Sequence, residues 1–384
     1  MIDRYITEDL KKTLAGGKAV VLLGPRQVGK STLTDMMFAS QEGVKWFTGD
    51  DPADKEALSN VSLSRLKLIV GSADTVVIDE AQKIPGIGET MKLITDHLPD
   101  VQLLATGSSS FQLTSEVGDS LAGRKREFKL FPISFAEMVQ HTGLVDEERE
   151  LPSRMIFGYY PEVVMNPGGE REILKELADS YLYKDILSLD KVAKGDKLVR
   201  LVQALALQIG SQVSYNELAQ TVGIDYKTVE KYLDILEKCY IVFRLPSYSR
   251  NLRNELKFSR KIYFYDLGIR NAVLGNFAPL DLRTKEEVGH MWENFMIAER
   301  MKMNGYRRNF ARCYFWRTEQ QKEVDLIEEL DGRISAYEFK WDPAKKVKTP
   351  SQFTSAYPDA SFHTVSPENA AEFLLDSPAD DVSE

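Results

Sequence analysis

The run AVVLLGPRQVGKST at 19–32 constrains the fold more than any other stretch. Apolar residues lead into a glycine-rich turn and then into helix-forming residues, so a buried strand must hand the chain to a helix N-terminus through a tight loop. The spacing is GxxxxGK[ST], the phosphate-binding P-loop. Gly24 and Gly29 let the backbone of Pro25, Arg26, Gln27 and Val28 wrap closely, turning amide N–H groups and the helix start toward phosphate. Lys30 is expected to reach the β- and γ-phosphates and Ser31, followed by Thr32, to ligate Mg2+; ATP is the expected nucleotide.

Two more apolar runs end in chemistry. TVVIDE at 75–80 delivers Asp79, expected beside the magnesium, and Glu80, expected to polarise the attacking water. That pair favours hydrolysis over transfer to a second substrate. VQLLATGSSS at 101–110 ends in Thr106 and Ser108, candidate γ-phosphate sensors, although these residue types also suit an ordinary strand exit. In LAGRKREFKLFPISFAEM, Arg124 is a candidate arginine finger and catalytic residue, with a solvated basic turn as the plain alternative. Short apolar strands alternating with helical segments predict an α/β fold, a parallel sheet with helices on both faces and nucleotide at the carboxyl ends of its strands.

Composition sets the outer limits. At 384 residues the chain is long for a single core, and 43% hydrophobic with 28% charged residues is a globular balance. A net charge of -9 excludes a wholly basic nucleic-acid binder but leaves room for local basic clusters. The opening MIDRYITEDL has no secretory pattern and no apolar run approaches the roughly 20 residues of a membrane span, so a cytoplasmic protein without membrane contact is expected. Cys239 and Cys313 have no CxxC spacing and the histidines are scattered, which argues against a disulfide framework or a Cys/His zinc site.

GPRQVGKST, VVIDEAQKIP, LLATGSSS, LAGRKREFKLFPISFAEM and GYYPEVV together resemble the prokaryotic AAA+ superfamily ATP-binding proteins that join a P-loop ATPase to a C-terminal domain of originally unknown function. The resemblance runs from about residue 4 to about residue 365. It implies a last domain similar to restriction-endonuclease-like folds, a helical lid against the nucleotide, and Arg124 in the family's Gly-Arg motif.

From 151 to 210 the pattern is helical, with apolar residues three or four apart in REILKELADSYLYKDILSL. In SYNELAQTVGIDYKTVEKYLDILEKCYIVFRLP, Ser214 and Glu217 match a capping box, Gly223 stops the first helix, Asp225 caps the second and YIVFRL reads as a strand. This predicts a winged helix whose second helix presents Lys227 and Lys231. The following stretch, with Arg244, Arg250, Arg253, Lys257, Arg260 and Lys261 against Glu255, is a candidate phosphate-neutralising surface. Winged helices also serve as packing modules, and this pattern resembles the family's hinge between ATPase and C-terminal domain.

Residues 323–340, EVDLIEELDGRISAYEFK, read as a hairpin turning at Asp331-Gly332, which sets Asp325 opposite Glu338. Facing carboxylates repel unless something cationic joins them. Asp325, Glu338 and Lys340 share one face, joined by Glu293 from the preceding helix, and two carboxylates with a lysine can seat a metal and deprotonate water. The pattern resembles the PD-(D/E)XK nuclease core, with Asp325 as first acid, Glu338-Phe339-Lys340 as ExK, and Val324 where the named motif has proline.

The expected organisation is an AAA+ ATPase core at 1–150, a helical lid or connector at 151–210, a winged helix at 211–262, a PD-(D/E)XK-like domain at 263–366 and a mobile acidic tail at 367–384. The expected function is ATP-driven action on nucleic acid, DNA before RNA, with Mg2+ or Mn2+ at the C-terminal site, and with either a homo-oligomeric ring, where Arg124 serves a neighbour, or a monomer, where it acts in cis. The alternative is an ATP-dependent switch or remodeler whose C-terminal domain only binds.

Overall fold

A computed structural model describes residues 2–108, 121–179, 195–249, 260–345 and 347–375. The chain forms two compact units, one of residues 1–131 with 238–240, the other of 132–237 with 241–384.

The first unit holds helix α1 (Thr7–Ala15), strand β1 (Ala19–Leu23), α2 (Lys30–Phe38), β2 (Val44–Thr48), α3 (Pro52–Leu58), α4 (Leu63–Val70), β3 (Thr75–Asp79), α5 (Ile87–His97), β4 (Gln102–Gly107) and β5 (Lys125–Lys129). The strands form one parallel sheet in the order β2-β3-β4-β1-β5. Every residue of β1 is buried, as the unbroken run AVVLL requires of a central parallel strand. At the edge, β5 alternates and buries only Phe128. Because β4 lies between β1 and β3, its end stands between the P-loop and the Asp79 carboxylate.

The second unit begins with α6 (Phe135–Thr142), α7 (Leu144–Phe157), α8 (Pro161–Met165), α9 (Glu170–Ala178) and α10 (Gly195–Leu207); of the stretch read as helical, 151–210, residues 180–194 lie outside the described residues. The domain boundary expected at 150 falls instead at 131. The N–H of Phe135 donates to Glu299 at 2.7 Å and Lys302 donates to the Ile133 carbonyl at 3.2 Å, so this segment is bonded to the long helix far along the chain.

β6 (Gln212–Val213), α11 (Tyr215–Val222), α12 (Tyr226–Lys238), β7 (Val242–Leu245) and β8 (Arg260–Phe264) follow. Ser214 caps α11, Gly223 at φ +71° closes it, and Asp225 accepts the Thr228 N–H at 3.0 Å to start α12. The three strands form an antiparallel sheet in the order β6-β8-β7. Next come α13 (Leu267–Leu274), α14 (Lys285–Arg307), β9 (Arg312–Arg317), β10 (Glu323–Leu330), β11 (Arg333–Phe339), α15 (Ser351–Ala356), β12 (Ser361–Val365) and α16 (Ala370–Leu375). β9, β10 and β11 form an antiparallel meander, and β12 adds parallel to β11.

The expected split at 262–263 does not appear, because Tyr248 N–H donates to the Phe315 carbonyl and Phe315 N–H to that of Pro246, bonding the segment after β7 to β9. The expected mobile tail also starts too early. Within α16, Phe373 packs on Tyr337 and Phe339 with ring centres 4.8 and 5.4 Å away. Among the described residues no helix is long and apolar enough to cross a membrane.

Candidate functional site

In the first unit the P-loop follows β1. A Cβ on Gly24 would lie 2.2 Å from the Leu130 carbonyl oxygen, and Gly29 sits at φ +93°, so both positions need glycine. Arg26, Gln27, Ser31 and Thr32 are exposed, while Gly24, Pro25, Val28 and Lys30 are buried. The Lys30 ammonium donates to the carbonyls of Gly24 and Pro25 at 2.9 and 2.8 Å. Burial pulls its pKa down to about 8, although Glu80 and Asp79 oppose this.

Ser31 donates to Asp79 Oδ2 at 3.0 Å, bringing together the hydroxyl and carboxylate expected at a magnesium ion. Thr106 is fully buried, donates to Asp79 Oδ1 and accepts the Glu80 N–H at 3.2 Å. It therefore orients the acidic pair rather than facing open space. Ser108 connects to Glu80 through Gln82, whose amide nitrogen donates to both at 3.1 and 2.8 Å. Two residues escaped the sequence reading. Gln82 is one; the other is Arg4, buried, donating to the Val28 carbonyl at 2.9 Å and the Phe131 carbonyl at 2.6 Å. No local motif marks Arg4, and Gln82 lies within VVIDEAQKIP without a role read for it.

Arg124 stands elsewhere. Its carbonyl accepts the N–H of Ala19, the first residue of β1, so it lies at the amino edge of the sheet. Five strand residues at about 3.3 Å each put the P-loop about 16 Å away. Its side chain pairs with Asp96 at 2.5 Å. From there Arg124 does not reach phosphate bound in its own chain.

In the second unit the hairpin register is the expected one: Leu330 pairs with Arg333 and Leu326 with Tyr337, around Asp331 and Gly332 at φ +50° and +81°. β10 carries a bulge toward β9 between Val324 and Ile327. Val324 and Ile327, three residues apart, consequently share one core with Trp316 and Phe353. Asp325, at the bulge, is turned to a cleft of about 980 Å³ lined also by Glu293, Glu323, Glu338, Lys340, His290 and Trp341.

Within the cleft, carboxylate oxygens of Glu293, Glu323 and Asp325 come within 4.8 Å of one another. Glu323 was not singled out from sequence; its i, i+2 spacing to Asp325 was the available signal. Asp325 Oδ2 accepts the Phe339 N–H at 2.8 Å and lies 3.9 Å from the Lys340 ammonium, which pairs with Glu338 at 2.6 Å. Burial, then the charge of Asp325, pushes the Glu338 pKa up against the pull of Lys340. Glu293 is also raised, by burial first, with Lys261 opposing and Asp325 reinforcing. The residues fit a divalent ion, since three carboxylates of one cluster meet in a cleft.

The expected nucleic-acid contacts divide. Lys227 and Lys231 are exposed on α12, while Arg250, Arg253 and Lys257 lie outside the described residues. Arg244 is not available to phosphate, being paired with Asp234 at 2.6 Å and with Glu237. Lys261 is fully buried against Glu293 and Glu323.

Residues 16–139 match the family described as AAA domain, 148–280 a domain of unknown function (DUF8612) and 288–374 another (DUF4143). An uncharacterized protein of Mycobacterium tuberculosis is 27% identical over 89% of this chain and 73% of its own. One from Methanocaldococcus jannaschii is 23% identical over 84% and 75%. Among solved structures, a Walker-type ATPase of Pyrococcus abyssi is 15% identical over 71% of this chain and 96% of that one, with a TM-score of 0.48. With its P-loop, its Ser31–Asp79 pair and its family match, the N-terminal part of the chain is a P-loop ATPase domain of the AAA type.

Proposed function

We propose that this ATPase acts on nucleic acid, DNA before RNA, and that its C-terminal cleft is a metal-dependent phosphodiester-cleaving site of the PD-(D/E)XK kind. The observation that carries the reading is the convergence of Glu293, Asp325, Glu338 and Lys340 on one cleft, over a helix, a three-stranded meander and a parallel fourth strand. In this reading α11, α12 and the β6-β8-β7 sheet are a winged helix, and Lys227 and Lys231 lie along the nucleic-acid path. Asp325 and Glu338, with Glu293, would hold Mg2+ or Mn2+. A divalent ion supplies charge stabilisation at the phosphate and a more acidic bound water. Lys340, held as an ammonium between Glu338 and Asp325, is positioned to order that water.

A second reading has its own observation. Lys340 is already paired at 2.6 Å and Lys261 at 2.8 Å, which suits a charge-balanced binding module driven as an ATP-dependent switch. One experiment separates the two. Purified protein with Mg2+ or Mn2+ is incubated with linear, branched and single-stranded DNA, beside Asp325→Ala and Lys30→Ala. Nicking lost in Asp325→Ala supports the nuclease; no nicking of any substrate leaves the switch. Lys30→Ala should lose ATP turnover in either case.

A further inference from the structure

Lys261, one of the cations of the basic stretch, has a different position from its neighbours in sequence. On β8 it is 0% exposed, donates to Glu293 Oε1 at 2.8 Å and is bonded to Glu323 Oε1. Two residues on, the Tyr263 hydroxyl donates to the same Glu293 oxygen at 2.5 Å. Glu323 Oε2 is met by Arg317 at 3.2 Å. One side of the carboxylate cluster is thus sealed by cations and a hydroxyl.

We propose that Lys261 is the resident cation of this cleft, occupying the space between Glu293 and Glu323 so that the site accepts one divalent ion rather than two. The inference rests on the reading of the cleft as a metal site. The remaining oxygens support it. Glu293 Oε2, Asp325 Oδ1 and Glu338 Oε2 take no hydrogen bond from the described residues, and they come from three residues that line the cleft. Divalent ions bind carboxylate oxygens at about 2.0–2.6 Å, so an ammonium already on Glu293 Oε1 and Glu323 Oε1 excludes a second ion from those atoms sterically and by charge. Four carboxylates face three cations, Lys261, Arg317 and Lys340, leaving an excess of one negative charge for an incoming ion. Gly210 also lines the cleft, and a Cβ there would come within 3.1 Å of Glu293 Oε2.

The test counts ions. Mn2+ is titrated into the full chain without nucleotide, free Mn2+ being read by electron paramagnetic resonance, for wild type, Lys261→Met and Lys261→Met/Glu323→Gln. Wild type should bind one equivalent. Lys261→Met should gain a second equivalent or bind at least tenfold more tightly, and Mn2+ should restore the thermal midpoint that the substitution lowers. The double variant, which keeps the charge balance, should return to one. Two equivalents in wild type would overturn the proposal even if Lys261→Met does not fold; so would Lys261→Met with wild-type count and affinity. Wild type binding none while Lys261→Met binds one would overturn the one-ion count together with the nuclease reading. No binding in either would sink both.

Discussion

Lys30 shows how a motif residue acquires its working chemistry from burial. Its ammonium is held by two backbone carbonyls in a nearly closed loop, and desolvation brings its pKa down to about 8. Phosphates added beside it favour the charged form, so the pKa rises on nucleotide binding. Below pH 8 the ammonium is already present; above it, binding must take up a proton. We predict that affinity for a fluorescent ATP analogue falls as pH rises from 8 to 9, by up to roughly tenfold per pH unit. Calorimetry near pH 9 in buffers of different ionisation heat should show uptake approaching one proton, absent in Lys30→Met. Buffer-independent heats for the wild type would rule the mechanism out. Around Lys30, Asp79 and Ser31 were legible because each ends or begins an element with a recognisable pattern. Arg4 was not, because its contacts are with carbonyls distant in sequence, and Gln82 was not, because its bridge from Glu80 to Ser108 needs the end of a second strand.

At the scale of elements, α14 does two jobs. Near its start Glu293 faces the cleft; two turns later Arg300 meets Glu328 of β10 with nitrogen–oxygen distances of 2.7–3.0 Å, and donates to the Phe373 carbonyl of α16 at 2.6 Å. The pair is buried, so removing one partner strands a charge. Arg300→Met should lower stability to chemical denaturation by about 3–5 kcal/mol, whereas Arg300→Met with Glu328→Leu should recover much of the loss. A single-variant loss below about 1 kcal/mol would show the pair to be solvated. The hairpin β10–β11 was legible to the residue, since Asp331-Gly332 suits a turn with both central residues at positive φ. Its bulge was not, because a bulge is a property of the pairing with β9, and only that partner decides which side chains are re-aimed.

For the whole molecule, the boundary at 131 matters more than the motifs suggest. α6 and α7 look like the end of an ATPase core, yet Glu147 pairs with Arg154 at 2.9 Å and accepts the Tyr159 hydroxyl at 2.6 Å, and Phe135 is bonded to Glu299. A fragment starting at residue 132 should therefore melt cooperatively by circular dichroism, and one starting at 151 should lose that transition or melt at a much lower temperature. Equal melts would restore the boundary drawn from sequence. Arg124, at the amino edge of its sheet, can serve as a finger only to a neighbouring copy, which ties that assignment to assembly.

The sequence by itself determined what depends on near neighbours: the P-loop, the acidic strand end, the capped helix pair and the hairpin with its register. Each is a short run whose periodicity and turn chemistry leave one conformation favoured. Tertiary structure decided which charges are spent on one another. Lys261 and Arg260 adjoin in the sequence, yet one is sealed among carboxylates and the other is partly exposed, because strand pairing turns successive side chains to opposite faces. Whether a lysine belongs to a basic surface or to an acidic cleft is a fact about the partner element, and no local pattern carries it.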